Sequence, residues 1–304
     1  IHIPHLCYLR DINEIGACRV CVVEIKCMQK LVTACNTLCE EGMEIYTNSP
    51  RVRSHRRINV ELILSDHNAN CASCIKSGNC TLQQISNDLG IIMTDYENVA
   101  EKARWDINLP LVRDASKCVK CMRCIKKKKK IQSLGVWNLI GSGFRTTIGV
   151  HENNDINDME CALCGQCITH CPVGALRERD DRITLNEALA DPEKITVVQV
   201  APAVRTAWGE QIGLKDKDAS MGKLVCALKK IGIDYVFDTN YTADMTIMEE
   251  GSEFLARLAN RNRYTWPMYT SCCPGWVRFM KTQYPDMVGD LSTAKSPQQM
   301  FGAL

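Results

Sequence analysis

No apolar run in the chain reaches the roughly 18 residues that a bilayer-spanning helix needs, so no membrane span is predicted. Net charge is also nearly absent. Thirty-seven Lys and Arg against 35 Asp and Glu leave +2, which implies no global attraction to nucleic acid or to a membrane. There is no secretory signal, and the first residue is Ile1 rather than Met. The end, Ala303-Leu304, carries no sign of a finished C-terminus, so an internal segment of a longer protein is expected. A spread disulfide framework is missing too. What is present is 19 cysteines in 304 residues, mostly in C-x2-C groups, a pattern that favours metal in a reducing cytoplasm. The length allows two to four domains.

Residues 1–48 are expected to form one domain holding Cys7, Cys18, Cys21 and Cys35. Three thiols come from one long loop and the fourth from a later strand, the logic of a plant-type [2Fe–2S] site. The β-branched stretch 20–25 and residues 31–34 read as strands, and Gly16 and Ala17 are small enough for close backbone approach to sulfide. A zinc site is the alternative. Cys27 and Cys39 fit no group and read as structural.

Residues 49–108 read as a second domain. Ser49-Pro50 looks like an N-cap with a first-turn proline, so a helix is predicted to about Ser65, with Ile58 and Leu62 on its buried face. His67, Cys71, Cys74 and Cys80 follow, a donor set that suits a [4Fe–4S] cluster or a structural zinc equally well. Thr81 is predicted to cap a further helix, with Leu82, Ile85 and Leu89 inward and Gly90 as its stop.

Residues 109–185 are the most specific part. Cys161, Cys164, Cys167 and Cys171-Pro172 match the bacterial ferredoxin run, and Cys118, Cys121 and Cys124 form its partner. In two-cluster ferredoxins the fourth cysteine of each run serves the other cluster. Cys118, Cys121, Cys124 and Cys171 therefore make one complete [4Fe–4S] set. The second set has Cys161, Cys164 and Cys167 and needs a cysteine at 128, where Lys128 stands inside the lysine run 126–130. The run reads as a solvated basic patch, as a lost ligand, or as a misassigned stretch. The last is the expectation, with cysteine at 128.

In residues 186–304 cysteines thin out and strand and helix signals alternate. Strands are predicted at 195–200 (buried and parallel), 234–237 and 267–269. Helices are predicted from 202 to about 213, over 221–231 with Gly232 as a stop, and from about 242 to 259. Such alternation implies an open α/β sheet, whose ligands bind beyond the carboxyl ends of the strands. Ala201-Pro202 and Tyr269-Thr270-Ser271-Cys272-Cys273-Pro274-Gly275-Trp276 both fall at such ends. The two cysteines are expected on a strand-to-helix turn, where free N–H groups and the helix dipole favour thiolates. The fold class is thus multidomain, α+β iron–sulfur domains followed by an α/β domain.

The order of cysteine groups, ending in Thr-Ser-Cys-Cys-Pro-Gly-Trp, resembles the [FeFe]-hydrogenases with long N-terminal cluster chains. Residues 201–205, 243–250 and 296–302 support the resemblance, while the front half alone is similar to the iron–sulfur subunit of respiratory complex I and to some formate dehydrogenases. The resemblance implies one [2Fe–2S] and three [4Fe–4S] clusters, and a catalytic H-cluster, a [4Fe–4S] cubane bridged to a diiron centre, in the complete protein. It also implies that Cys273 is a cubane ligand and that Cys272 passes protons. Glu250, Glu253 and Ser292 then form the remaining proton path, and Ala201, Pro202, Ala203 and Gln298 line the diiron pocket. Ala203 stands where some relatives have serine. The other three cubane cysteines belong to later motifs, so residues 186–304 read as the first part of the catalytic domain. The implied partners are ferredoxin, a flavin subunit oxidising NAD(P)H with a small [2Fe–2S] subunit, or both, along with dihydrogen and protons, in the cytoplasm. An electron-transfer subunit that never handles hydrogen, or a hydrogen sensor, stays open as an alternative.

Overall fold

The β-branched stretch around Cys21 forms strand β1, Val22–Ile25. It pairs antiparallel with β2, Val32–Thr33, and with β3, Ile45–Tyr46, in the order β2-β1-β3. The computed structural model describes residues 1–100 and 105–304, so 101–104, in the second expected domain, lie outside the described residues. The chain divides into two units, 1–179 and 180–304.

In the first unit, helix α1, Pro50–Ser65, starts where expected: Val52 N–H donates to Ser49 Oγ, and Pro50 occupies the first turn. Its buried face differs from the expectation. Val52, Arg56 and Val60 are buried, whereas Ile58 and Leu62 are 43% and 48% exposed. The spacing of four through a cation selects this face, because Arg56 finds backbone carbonyls there that two aliphatic side chains cannot use. Helix α2, Thr81–Asp88, is capped by Cys80 rather than Thr81, which is its first residue. Leu82 and Ile85 point inward as expected, Leu89 is half-buried, and Gly90 ends the turn at positive φ.

The ferredoxin-like part begins with β4, Leu111–Arg113, followed by helix α3, Arg123–Lys130. A hairpin follows, β5, Trp137–Ile140, with β6, Thr147–Val150. Then come α4, Gln166–Thr169, and β7, Leu176–Glu178, which returns antiparallel to β4. Two buried clusters fill this unit. One joins Leu6, Val20, Val60, Leu82 and Val173 to Cys7, Cys18 and Cys121; the other joins Leu111, Leu134, Trp137, Ile148 and Leu176 to Cys124, Cys161 and Cys167. The thiols are therefore part of the core. Fully burying each large aliphatic contributes about 1.5–3 kcal/mol.

The second unit holds α5, Arg182–Ala190, then β8, Val197–Val200, and α6, Pro202–Ala207. Helix α7, Met221–Ile231, follows, with Ser220 as its N-cap and Gly232 at φ +114° as its stop. Strand β9, Tyr235–Asp238, pairs parallel to β8. Then come α8, Asn240–Ala259, α9, Pro274–Gln283, and α10, Pro297–Phe301, which opens with a capping box between Ser296 and Gln299.

Three expectations change here. The described sheet has two strands, because the stretch 267–269 makes only an isolated parallel bridge, Tyr269 to Leu291. It is short and begins at Pro267, which cannot donate to a ladder. Strand β8 is not buried throughout: Val197 is 55% exposed and only Val200 is fully inside. The helix from Pro202 also stops at Ala207, and a separate short 3-10 turn, Glu210–Ile212, precedes Gly213.

Candidate metal centres

The first unit gathers its thiols into separate groups. Cys7, Cys18 and Cys21 are buried and Cys35 is partly so. Cys18 N–H points at Cys7 Sγ, 3.5 Å away. The Cys7 thiol donates toward Cys18, which with backbone N–H groups pulls the Cys18 thiol down to about 5 and raises Cys7. Burial and the neighbouring Cys35 push Cys21 up to about 11. All four expected ligands thus influence one another. Gly16 sits at φ +63°, and a Cβ there would lie 3.1 Å from Thr33 Oγ1 and Asn36 Nδ2, so a side chain would be strained and crowded.

His67 is buried, and its Nδ1 meets Lys117 O at 3.1 Å. A ring that donates from Nδ1 to a carbonyl presents Nε2 as the ligand atom. Burial and the nearby Lys117 keep this histidine below its usual pKa, hence neutral, the form that binds metal. His67, Cys71 and Cys80 line one cavity. Cys74 packs instead against Gly174, where an added Cβ would come within 2.7 Å of its sulfur.

Cys118, Cys121, Cys124 and Cys171 line a single cavity, bringing the first run together with the fourth cysteine of the second. Burial pushes Cys121 up to about 12, helped by repulsion from Cys171 and Cys118, and raises Cys124 as well. Such thiols ionise only if a cation takes the place of their protons. The same lining carries Arg123 and Trp137, whose buried Nε and Nε1 make no geometric hydrogen bond; the weakly accepting Cys167 thiol lies beside Trp137. Four thiols and the Arg123 Nε donor fit an anionic cluster with bridging sulfides. Asn13, fully buried, donates through Nδ2 to Cys7 O at 2.7 Å and to Cys121 O at 2.9 Å, so one amide joins the backbones of two candidate centres.

The second ferredoxin set is different. Cys161 and Cys167 are buried and Cys164 is exposed. Lys128 is 1% exposed, and its Nζ lies 3.4 Å from Cys164 Sγ and 3.9 Å from Cys161 Sγ. It is therefore not part of a solvated patch, although Lys129 and Lys130 are exposed. A four-thiolate cubane does not fit this set, because an ammonium has no lone pair to give iron. Among the described residues no three His, Cys, Asp or Glu side chains converge on a point that would hold a single metal ion.

In the second unit, Cys273 caps α9 with Pro274 in its first turn, and both Cys272 and Cys273 are exposed. Ala201, Pro202, Ala203 and Gln298 are exposed as well. Glu250 Oε1 accepts from Ser271 N–H at 3.0 Å, and Ser271 Oγ donates to Ala294 O at 2.6 Å. Ala294 N–H donates to Ser292 Oγ at 3.1 Å, and Ser292 Oγ donates to Glu253 Oε2 at 2.7 Å. Buried Arg257 holds the other oxygen of Glu253 at 2.6 Å and donates to Leu291 O at 2.9 Å. Burial alone would raise the Glu253 pKa, but Ser292, Thr293 and Arg257 together hold it below the usual value. The structure thus joins Glu250, Ser292 and Glu253 in one hydrogen-bonded line that starts beside Cys272. Sequence reasoning missed Ser271 and Arg257; the i,i+4 spacing of Glu253 and Arg257 was the available signal. Residues 180–304 contain only Cys226, Cys272 and Cys273, so they do not supply four cubane thiolates.

Residues 194–304 match the iron-only hydrogenase large subunit, C-terminal domain. Residues 1–50 match a 2Fe-2S cluster binding domain, 56–93 the NADH-ubiquinone oxidoreductase-G iron–sulfur binding region, and 110–177 the ferredoxin-like domain of NADH-quinone oxidoreductase subunit 3. The chain is similar over its whole length to [FeFe]-hydrogenase large subunits, and residues 194–304 carry the C-terminal domain of that kind. Its front half is of the complex-I type. Among relatives of this hydrogenase family, the chain is 44% identical to the NADP-reducing hydrogenase subunit HndD of Solidesulfovibrio fructosivorans, over 100% of this chain and 54% of that protein. It is 37% identical to iron hydrogenase 1 of Clostridium pasteurianum, over 99% of this chain and 53% of that one. The chain therefore spans about half the length of these relatives. A solved NAD+-reducing [NiFe]-hydrogenase in the H2-reduced state aligns at 26% identity and TM-score 0.54, over 59% of this chain and 76% of that chain. The chain thus places an iron–sulfur cluster binding domain and a ferredoxin-like domain ahead of a hydrogenase C-terminal domain, and none of its described helices is long and apolar enough to cross a membrane.

Proposed function

We propose that the protein to which this chain belongs catalyses the reversible reaction of two protons and two electrons to dihydrogen. Residues 1–179 would carry the electrons and residues 180–304 the protons. The observation that carries the hydrogen reading is the line from Glu250 through Ser271, beside Cys272, then Ala294 and Ser292 to Glu253. A carboxylate that accepts from a hydroxyl can exchange protons with it, and a thiol can relay protons near neutrality when its surroundings tune its pKa. Arg257 fixes Glu253 in one rotamer and keeps it ionised, ready to accept a proton. Since residues 180–304 do not supply the cubane ligands, no step at the catalytic centre is derived; Cys273 is its one candidate thiolate here.

Upstream, Cys7, Cys18, Cys21 and Cys35 would hold the [2Fe–2S] cluster. His67, Cys71, Cys74 and Cys80 would hold one [4Fe–4S] cluster, and Cys118, Cys121, Cys124 and Cys171 another. When bound, these clusters supply one-electron transfer. The chain's own contribution is burial, hydrogen bonds to sulfur and the Asn13 bridge. Electron partners of the ferredoxin or flavin NAD(P)H type, a small [2Fe–2S] subunit and a cytoplasmic location complete this reading. Front-half likeness to respiratory NADH dehydrogenase domains supports an electron-transfer role without hydrogen chemistry as the second reading.

The test uses full-length protein purified without oxygen. Cys272→Ala is expected to abolish hydrogen turnover while leaving iron content and cluster spectra unchanged. Activity near wild type would show that protons take another route. Stoichiometric zinc with little iron would remove the electron wire altogether.

A further inference from the structure

The second ferredoxin set is the place where the donor set and the expected group disagree. Lys128 is the largest side chain that is fully buried in the described chain. An ammonium cannot stay in a protein interior without acceptors, because only close partners offset the loss of its hydration. The acceptors it reaches are Cys164 Sγ at 3.4 Å and Cys161 Sγ at 3.9 Å, and its charge also acts on the Cys167 thiol. Helix α3 delivers it there: Cys124, four residues earlier on the same face, is buried too, and its thiol lines the cavity of the first set. One helix thus presents a thiol to one set and an ammonium to the other.

We infer that Cys161, Cys164 and Cys167 hold a three-iron cluster, with the Lys128 ammonium in place of the fourth iron and its ligand. Three thiolates anchor three irons. The fourth corner faces three N–H donors and a positive charge, which attract sulfide and thiolate and repel an iron cation. The ammonium then does two things that a missing ligand would not: it closes the corner against solvent, and it offsets negative charge. The first set, with four thiols around its cavity, keeps a full cubane and serves as the internal control. Two unlike clusters in one ferredoxin fold differ in potential, so this one sets a step in any electron path through the domain.

This inference rests on the iron–sulfur reading of residues 1–179, and the experiment separates the two. Full-length protein is purified without oxygen. Peptide mass spectrometry covers residues 124–131, iron, zinc and sulfide are counted, and electron paramagnetic resonance is recorded on oxidised and reduced samples. Zinc in place of iron sinks the general reading. With iron present, the expected result is lysine at 128 and a three-iron signal in the oxidised protein, near one spin per chain. In Lys128→Cys that signal disappears, iron rises by about one atom per chain, and a further reduced cubane signal appears. In Lys128→Met the three-iron signal persists while its midpoint potential falls, because a buried positive charge has gone. Cysteine found at 128, or a full set of cubanes and no three-iron signal in the lysine protein, overturns the inference. An unchanged midpoint in Lys128→Met overturns the counter-charge role.

Discussion

Replacing Arg56 tests the energetics of the first domain most directly. The residue is 4% exposed, and its guanidinium donates to three main-chain carbonyls: Val20 O at 2.8 Å, Val22 O at 3.0 Å and Thr47 O at 3.1 Å. Val20 and Val22 flank Cys21, so this one side chain sets the loop that carries an expected [2Fe–2S] ligand. Arg56→Met keeps the aliphatic stem and removes every donor. Hydrogen bonds from a charged donor contribute about 1.5–3 kcal/mol each, so the gross loss is about 5–9 kcal/mol. Against that, the variant no longer buries a charge that lacks a carboxylate, a relief of several kcal/mol. The net expectation is a destabilisation of about 2–4 kcal/mol, large for a single substitution. Arg56→Lys should fall between the two, since a point charge cannot fork across three carbonyls. The assay is guanidinium unfolding of anaerobically reconstituted protein, followed by far-ultraviolet circular dichroism and by bleaching of cluster absorbance. Where unfolding is irreversible, the bleaching rate at fixed denaturant replaces the midpoint. An Arg56→Met protein with the wild-type midpoint, bleaching rate and iron content would refute the reasoning.

Two other outcomes follow from the second unit. Thr196 and Asp234 bond reciprocally: Thr196 N–H and Oγ1 both donate to Asp234 Oδ2, at 2.7 and 2.8 Å, and Asp234 N–H donates to Thr196 Oγ1 at 3.0 Å. Thr196→Val keeps the shape and should lower the unfolding midpoint; a neutral substitution would show that the β8–β9 register does not depend on this pair. Glu253→Gln should destabilise at neutral pH by about 1–3 kcal/mol, because Arg257 loses its carboxylate. The Glu253 pKa is depressed in the fold, so its stabilisation is present above the unfolded value, roughly 4.3, and fades as pH falls through the folded one. The gap between variant and wild type should therefore narrow below about pH 4; a gap independent of pH down to 3 would contradict the ion pair as its source.

Local chemistry was legible without coordinates. Ser49-Pro50 begins one helix and Gly232 ends another because caps depend on a few neighbouring atoms. The cysteine spacings bring Cys118, Cys121 and Cys124 to one cavity for the same reason: a short loop can only reach so far. Residues that work across the chain were not legible. Nothing near Asn13 points to Cys121, 108 positions away, and nothing near Ser271 points to Ala294. The face of α1 was misassigned because a period of four is satisfied equally by Val52, Arg56 and Val60 and by Ile58 and Leu62, and only the carbonyls of the first domain favour the set with the cation. Lys128 shows the same limit. Composition offered a solvated patch as only one reading of the five lysines, since charge prefers water, and a misassigned stretch was the one expected. Helix α3 is fixed by Cys124 on the first cavity, and the helical repeat then carries residue 128 inward beside Cys161 and Cys164, so packing rather than polarity decides where that charge sits.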